Sequence, residues 1–203
     1  MRAPALEEFR FGFVVYLTKV CNLQCTYCSV FASPTADAWK LEPARFERWM
    51  ESFAALGPRQ MQVMLHGGEP LVANPPVELY SKILQHVARR NKVELAPTVV
   101  CSNGLLLTPQ RARSLSRSGV THLNVSIDGP AIMHDRSRLT ALGQGSHAKV
   151  LERLEDLHHA GFEPGLIAVA TQKGDVLAAL DFFPLALIEI DPPSLIETDP
   201  LSL

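Results

Sequence analysis

Residues 13–28 run Phe-Val-Val-Tyr-Leu-Thr-Lys-Val-Cys-Asn-Leu-Gln-Cys-Thr-Tyr-Cys. The first six are aliphatic, aromatic or β-branched and predict a buried strand. Cys21, Cys25 and Cys28 follow at once, spaced C-x3-C-x2-C, and are three of the chain's four cysteines. A strand that runs straight into a chemically loaded loop is the unit the chain then repeats. Residues 43–56 predict a helix, with Phe46, Trp49, Met50 and Phe53 as its apolar stripe. Gly57-Pro58 stops it.

Residues 62–65 predict the second strand, ended by Gly67-Gly68. A helix at 77–90 carries Leu79, Ile83, Leu84 and Val87 on one stripe. The third strand, 98–101, ends at Asn103-Gly104, and a short helix at 109–118 is closed by Gly119. The fourth strand, 122–127, ends at Asp128-Gly129-Pro130. Ser146 can cap the next helix, whose stripe is Val150, Leu151, Leu154 and Leu157 and whose last turn suits Gly161. Residues 165–171 predict a fifth strand, 175–183 a brief helix, and 185–190 a further apolar run that fits a sixth strand.

This βα rhythm predicts a parallel sheet with helices outside. A full eightfold barrel uses about 31 residues per unit, so the chain holds about six units. The expected fold is α/β: a partial, open parallel (β/α)6 barrel. A doubly wound flat sheet is the second choice, because strand order cannot be read from the rhythm. Residues 1–190 are expected to form this core domain. Residues 191–203, with Pro192-Pro193 and Pro200, are expected to be a poorly ordered tail.

At 203 residues one domain is expected, burying roughly 70% of its surface. The hydrophobic fraction is 47% and the charged fraction 20%, an ordinary globular balance. A formal net charge of −2 points to no nucleic-acid or anionic-membrane partner held by bulk charge. No run approaches the roughly 18 apolar residues of a membrane span. Glu7 and Glu8 stand where a secretory signal is positive, so the expected location is the cytoplasm, with thiols or ligands rather than disulfides.

Thiolates select soft centres: zinc, copper(I) or iron–sulfur clusters. The Cys21–Cys28 spacing also fits one helix face, but a helix would string the sulfurs along about 10 Å. Asn22, Thr26 and Tyr27 are indifferent helix formers, so a loop around a compact centre is expected. A structural zinc would need a fourth ligand, which Cys101 or His66 could supply, although neither makes the usual second pair. A 4Fe–4S cluster on three cysteines would instead leave one iron open to a small molecule. Cys101 itself is expected to be a buried strand-end residue. His158 and His159 are expected on a wet helix face, and the Gly143-Gln-Gly145 run is expected to be a helix lead-in.

The other strand ends carry Leu-His-Gly-Gly-Glu-Pro (65–70), Ser-Asn-Gly (102–104) and Ser-Ile-Asp-Gly-Pro (126–130), then His134, Asp135 and Arg138. In a parallel barrel these ends share one face, where such barrels bind ligands. With the CxxxCxxC loop and its aromatic before the last cysteine, the set resembles the radical S-adenosylmethionine (SAM) superfamily. Residues 126–138 resemble the branch of anaerobic sulfatase-maturing enzymes and related SPASM-type peptide maturases.

The resemblance implies that Cys21, Cys25 and Cys28 hold a 4Fe–4S cluster, whose free iron takes SAM. It implies reductive cleavage of SAM to methionine and a 5′-deoxyadenosyl radical, which abstracts a hydrogen atom from substrate. Gly67 and Gly68 would let the ligand approach the backbone, and Glu69 would accept from the SAM ammonium. Tyr27 would lie by the adenine, Ser126 would bond the ribose or a neighbouring group, and Arg138 would pair with the SAM carboxylate. No general base is identified. The implied partners are a peptide or protein substrate, such as a sulfatase or a precursor peptide, and an electron donor such as flavodoxin or ferredoxin. The alternatives are a small-molecule substrate, or a non-catalytic zinc- or cluster-binding protein. Maturases of this branch continue into a cysteine-rich domain with auxiliary clusters. Here no cysteine follows Cys101, so the chain is expected to be a truncated core.

Overall fold

The computed structural model describes residues 9–36 and 39–183. The predicted strand at 185–190, the tail at 191–203, and Glu7 and Glu8 lie outside the described residues. The elements run β1 (Arg10–Tyr16), α1 (Pro43–Ala54), β2 (Gln60–His66), α2 (Val77–Asn91), β3 (Glu94–Leu95), β4 (Val99–Ser102), α3 (Pro109–Arg117), β5 (His122–Ser126), α4 (Ala131–His134), α5 (His147–His159), β6 (Gly165–Ile167) and α6 (Asp175–Phe182).

All strand pairs are parallel, in the order β1-β2-β4-β5-β6. Each main strand thus lies beside its predecessor, which is the winding of a barrel; a doubly wound sheet reverses direction partway. The observed winding is that of the first-choice fold, the open parallel barrel, with five of its six strands among the described residues. Among the described residues β1 and β6 each pair on one side only, so the barrel is open there.

The short β3 is the foot of β4. Gln60 and Met61 pair with Glu94 and Leu95, whereas Met64 and Leu65 pair with Val99 and Val100. Between these pairs β2 advances three residues and its partner four. The extra residue makes a bulge that holds Pro97, where no ladder N–H is required. The Ala96 amide still donates to the Met61 carbonyl, at 2.9 Å.

Alternation in β2 sends Met61, Val63 and Leu65 into the helix layer, each fully buried. Phe11 and Phe13 of β1 do the same, with both rings against Phe53 of α1. The helices start where the chemistry allows. Pro43 opens α1 in its first turn, and the Thr108 hydroxyl accepts from the Arg111 amide at the head of α3. Phe46 and Met50 of the α1 stripe are buried, while Trp49 and Phe53 stay 44% and 37% exposed on its flanks.

Two local expectations change. Ser146 stands at the N-cap position before α5, but its side chain does not cap the helix; its hydroxyl donates to the Arg138 carbonyl. Asp135 caps instead, accepting from the His147 amide at 2.9 Å across a glycine, Gly145, whose missing side chain would overlap that carboxylate. The fifth strand stops at Ile167 rather than residue 171, because the Val169 amide leaves the ladder to bond Asp128.

The opposite sheet face is the concave one. Parallel register puts Val14, Met64, Val99 and His122 in one row, with Tyr16 and His66 in the next, their rings 5.4 Å apart. Asn124, Ser126 and Ile167 continue this face.

Candidate cofactor site

The carboxyl ends of the strands bring four loops together. After β1 the chain lies over the end of β2: the Gly68 amide donates to the Thr18 carbonyl at 2.7 Å, and the Glu69 amide to the Val20 carbonyl at 2.9 Å. Gly67 and Gly68 permit this contact. A Cβ on Gly68 would meet the Val20 and Lys19 carbonyl oxygens at 2.3 and 2.7 Å, and one on Gly67 the Thr18 carbonyl oxygen at 2.9 Å. The chain that approaches these glycines is therefore the protein's own cysteine loop.

That loop is not helical between residues 17 and 36, as the residue types predicted. Its sulfurs are served by turn amides. Leu23 N–H donates to Cys21 Sγ and Ala32 N–H to Cys28 Sγ, each at 3.4 Å. Cys21 is buried, whereas Cys25 and Cys28 are half-buried. Burial pushes the Cys21 thiol up to about 12. Burial also raises Cys25, against the pull of the nearby Arg138 guanidinium. Metal loading must displace these protons, so it is favoured as pH rises. Among the described residues no three His, Cys, Asp or Glu side chains form a single-ion site. Three thiols in one loop are a donor set for an iron–sulfur cluster, in which each sulfur takes its own iron.

Glu69 is 1% exposed and ties three loops. Its Oε1 accepts from the Leu71 amide at 3.0 Å and the Ser102 hydroxyl at 2.9 Å, and its Oε2 from the Asn103 amide at 2.8 Å. Of the four lone pairs of a carboxylate, one on Oε2 stays open. Asn103 reaches back to the first loop, its Nδ2 donating to Asn22 Oδ1 at 2.7 Å and lying 3.7 Å from Cys21 Sγ.

A second network closes the far side. Asp128, 1% exposed, accepts at Oδ2 from the Tyr27 hydroxyl at 2.7 Å and from Arg138 Nε at 3.0 Å. Its Oδ1 accepts from the Val169 amide at 3.0 Å. The Arg138 guanidinium carbon lies 5.5 Å from the Tyr27 ring centre. Arg136, the other arginine of this segment, is engaged elsewhere, with Asp175 at 2.8 Å. Ser126 closes β5 half-buried, and its hydroxyl bonds no described residue.

His134 braces this network. It is fully buried, with Nδ1 accepting from the Asp128 amide at 3.3 Å and Nε2 2.9 Å from Ser146 Oγ. Burial, aided by Arg138, holds it down at about 4, so it is neutral at pH 7. Between pH 6.5 and 4 the unfolded chain binds the extra proton, so His134 costs up to about 3 kcal/mol of stability as pH falls through that window. Glu69, pushed up to about 7 by burial, has the opposite sign: between pH 7 and 4.5 the folded state holds the extra proton, and acidification adds stability. The two slopes offset in the native protein. Glu69→Gln removes the second, so its unfolding free energy should fall between pH 7 and pH 5 in urea titrations. A flat profile for that variant would show that His134 is not held neutral.

The structure thus brings Cys21, Cys25, Cys28, Tyr27, Gly67, Gly68, Glu69 and Arg138 to one end of the sheet, with Ser126 closing β5 at the same end. Sequence reading gave no role to Asp128, Asn103 or His134. The signal available was a polar residue closing each apolar strand, at Asn103 and Asp128, without a hint of its partner.

Comparison with known proteins places these features. The family described as the Radical SAM superfamily matches residues 15–175. A GTP 3',8-cyclase of Aeromonas hydrophila is 31% identical over 164 residues, 78% of this chain and 44% of the cyclase. A serine-type anaerobic sulfatase-maturating enzyme of Bacteroides thetaiotaomicron is 28% identical over 159 residues, 74% of this chain and 37% of that enzyme. The chain therefore spans less than half the length of either relative. Among solved structures, "native anSMEcpe with bound AdoMet and Cp18Cys peptide" superimposes with a TM-score of 0.69 at 21% identity, covering 86% of this chain and 47% of the other.

Proposed function

Because this chain belongs to the radical SAM superfamily, with SAM and a 4Fe–4S cluster as cofactors, we propose that it abstracts a hydrogen atom from a peptide or protein side chain. Cys21, Cys25 and Cys28 hold the cluster. The cofactors supply the chemistry: one electron, delivered by a flavodoxin- or ferredoxin-class donor, breaks the C5′–S bond of SAM to give methionine and the radical that takes the hydrogen atom. The protein binds, orients and excludes water. The Arg138 Nη groups would pair with the SAM carboxylate, and the open lone pair of Glu69 Oε2 with the Gly67-Gly68 backbone would receive its ammonium. The Ser126 hydroxyl would serve the ribose, and Tyr27 would flank the adenine.

One observation favours a peptide. The upper concave face offers Val14, Tyr16, Met64, His66, Asn124 and Ser126, none of them ionised like a lysine, arginine or carboxylate. GTP carries a triphosphate, which calls for arginine or lysine at close range. Among the described strand residues, the cation on this face is Arg10, at the opposite end. A neutral wall suits an uncharged side chain on a peptide backbone.

The test is anaerobic reconstitution followed by dithionite reduction with SAM. Stoichiometric iron and sulfide with release of 5′-deoxyadenosine are expected. Deuterium from peptides labelled at the β-carbon of serine or cysteine should appear in the 5′-deoxyadenosine. Consumption of GTP, with no label from any peptide, would replace this reading with a small-molecule one. One colourless zinc per chain would remove both.

A further inference from the structure

We propose that Asp128, held by Tyr27 and by the Val169 amide, is the positioning residue that presents the Arg138 guanidinium to an incoming carboxylate. The inference rests on the reading above, in which that carboxylate belongs to SAM.

Arginine and aspartate side by side ordinarily close as a fork, with two parallel N–H···O bonds. Here they do not. Asp128 touches Arg138 through one oxygen, Oδ2 to Nε at 3.0 Å. The second oxygen is taken by the backbone, because Val169 N–H donates to Oδ1 at 3.0 Å. Tyr27 occupies the remaining approach to Oδ2 with its hydroxyl, at 2.7 Å. Arg138 is 6% exposed, yet Nη1 and Nη2 bond no described residue.

The little solvent contact that Arg138 keeps includes this Nη edge, so four N–H donors of a nearly buried guanidinium stay open to a ligand. The Nε edge is fixed by Asp128 and one face is covered by Tyr27. The Nη edge is then a preformed fork, free of any described partner. Preformed forks bind a carboxylate with little ordering cost. The brace extends to the backbone of both residues: His134 holds the Asp128 amide, and Ser146 donates to the Arg138 carbonyl at 2.9 Å. Tyr27 therefore acts through Asp128, by its hydroxyl, in addition to any contact its ring makes.

The test uses cluster-loaded protein and two probes, SAM and decarboxylated SAM, measured by equilibrium binding. Asp128→Asn should raise the Kd for SAM about tenfold or more, the loss of one charge-assisted hydrogen bond. Its Kd for decarboxylated SAM should match that of the native protein. Iron content and the spectrum of the reduced, SAM-free cluster should not change. Tyr27→Phe should give a smaller rise for SAM alone, and the double variant should bind no worse than Asp128→Asn. If Asp128→Asn fails to load the cluster, Tyr27→Phe carries the comparison with the same probes. Unchanged SAM binding in these variants would overturn the positioning role. Equal weakening of both probes would overturn it too, since a general structural defect does not read the carboxylate. A native protein that loads its cluster but binds neither probe would overturn the proposed function first, and this role with it.

Discussion

Cys25→Ala should abolish SAM cleavage by the reduced protein, with iron per chain falling far below the cluster stoichiometry. The three thiols sit on one non-helical loop, so no neighbouring sulfur stands ready to substitute. The fourth cysteine, Cys101, is buried in β4 with its sulfur facing the Asn124 amide. The effect on the metal-free fold should be small by contrast. Cys25 is half-buried, and its sulfur makes no hydrogen bond to a described residue. Thermal unfolding of apo-protein should therefore change little, while iron content and 5′-deoxyadenosine release collapse. Undiminished 5′-deoxyadenosine from the variant would reject the ligand assignment.

Gly68→Ala has the second large effect, and it reaches the same site by steric means. The added methyl meets two carbonyl oxygens of the facing strand extension at 2.3 and 2.7 Å. These are backbone atoms and cannot rotate away as a side-chain tip does. Relief requires residues 18–20 to lift off β2, which breaks the Gly68 and Glu69 amide bonds to Thr18 and Val20. Roughly 3 kcal/mol or more of stability should be lost, from overpacking plus stranded amides. Gly12→Ala is the control. Nothing lies within 4 Å of its added methyl, so a change within about 0.5 kcal/mol is expected. Equal unfolding midpoints for the two variants in urea would contradict the close packing of the cysteine loop.

Much of this architecture is legible in the sequence because it is local. The helices read at 43–56 and 77–90 are set by stripes that act within a few turns, although in the second Leu79 is exposed and Tyr80 enters the core in its place. The cysteine spacing is equally local. What the sequence hides is set by partners far along the chain. The strand order needs the sheet itself. The extent of β6 is decided by Asp128, 41 residues away from Val169. The role of Asp128 is decided in turn by Tyr27, 101 residues before it. Ser146 illustrates the same limit at short range. A serine before a helix is a sound cap by composition, but this hydroxyl is turned to the Arg138 carbonyl and the His134 ring and receives no amide of the helix. Glu69 also changes character. The motif marks it as a ligand for a cofactor, and the fold first spends three of its lone pairs on Leu71, Ser102 and Asn103.

The Val169 amide also sets a timetable for biogenesis. It reaches Asp128 from just beyond β6, so the cradle is completed only after the last of the described strands has left the ribosome. In a nascent chain that has not yet delivered residue 169, Asp128 Oδ1 lacks the amide that occupies it in the folded site.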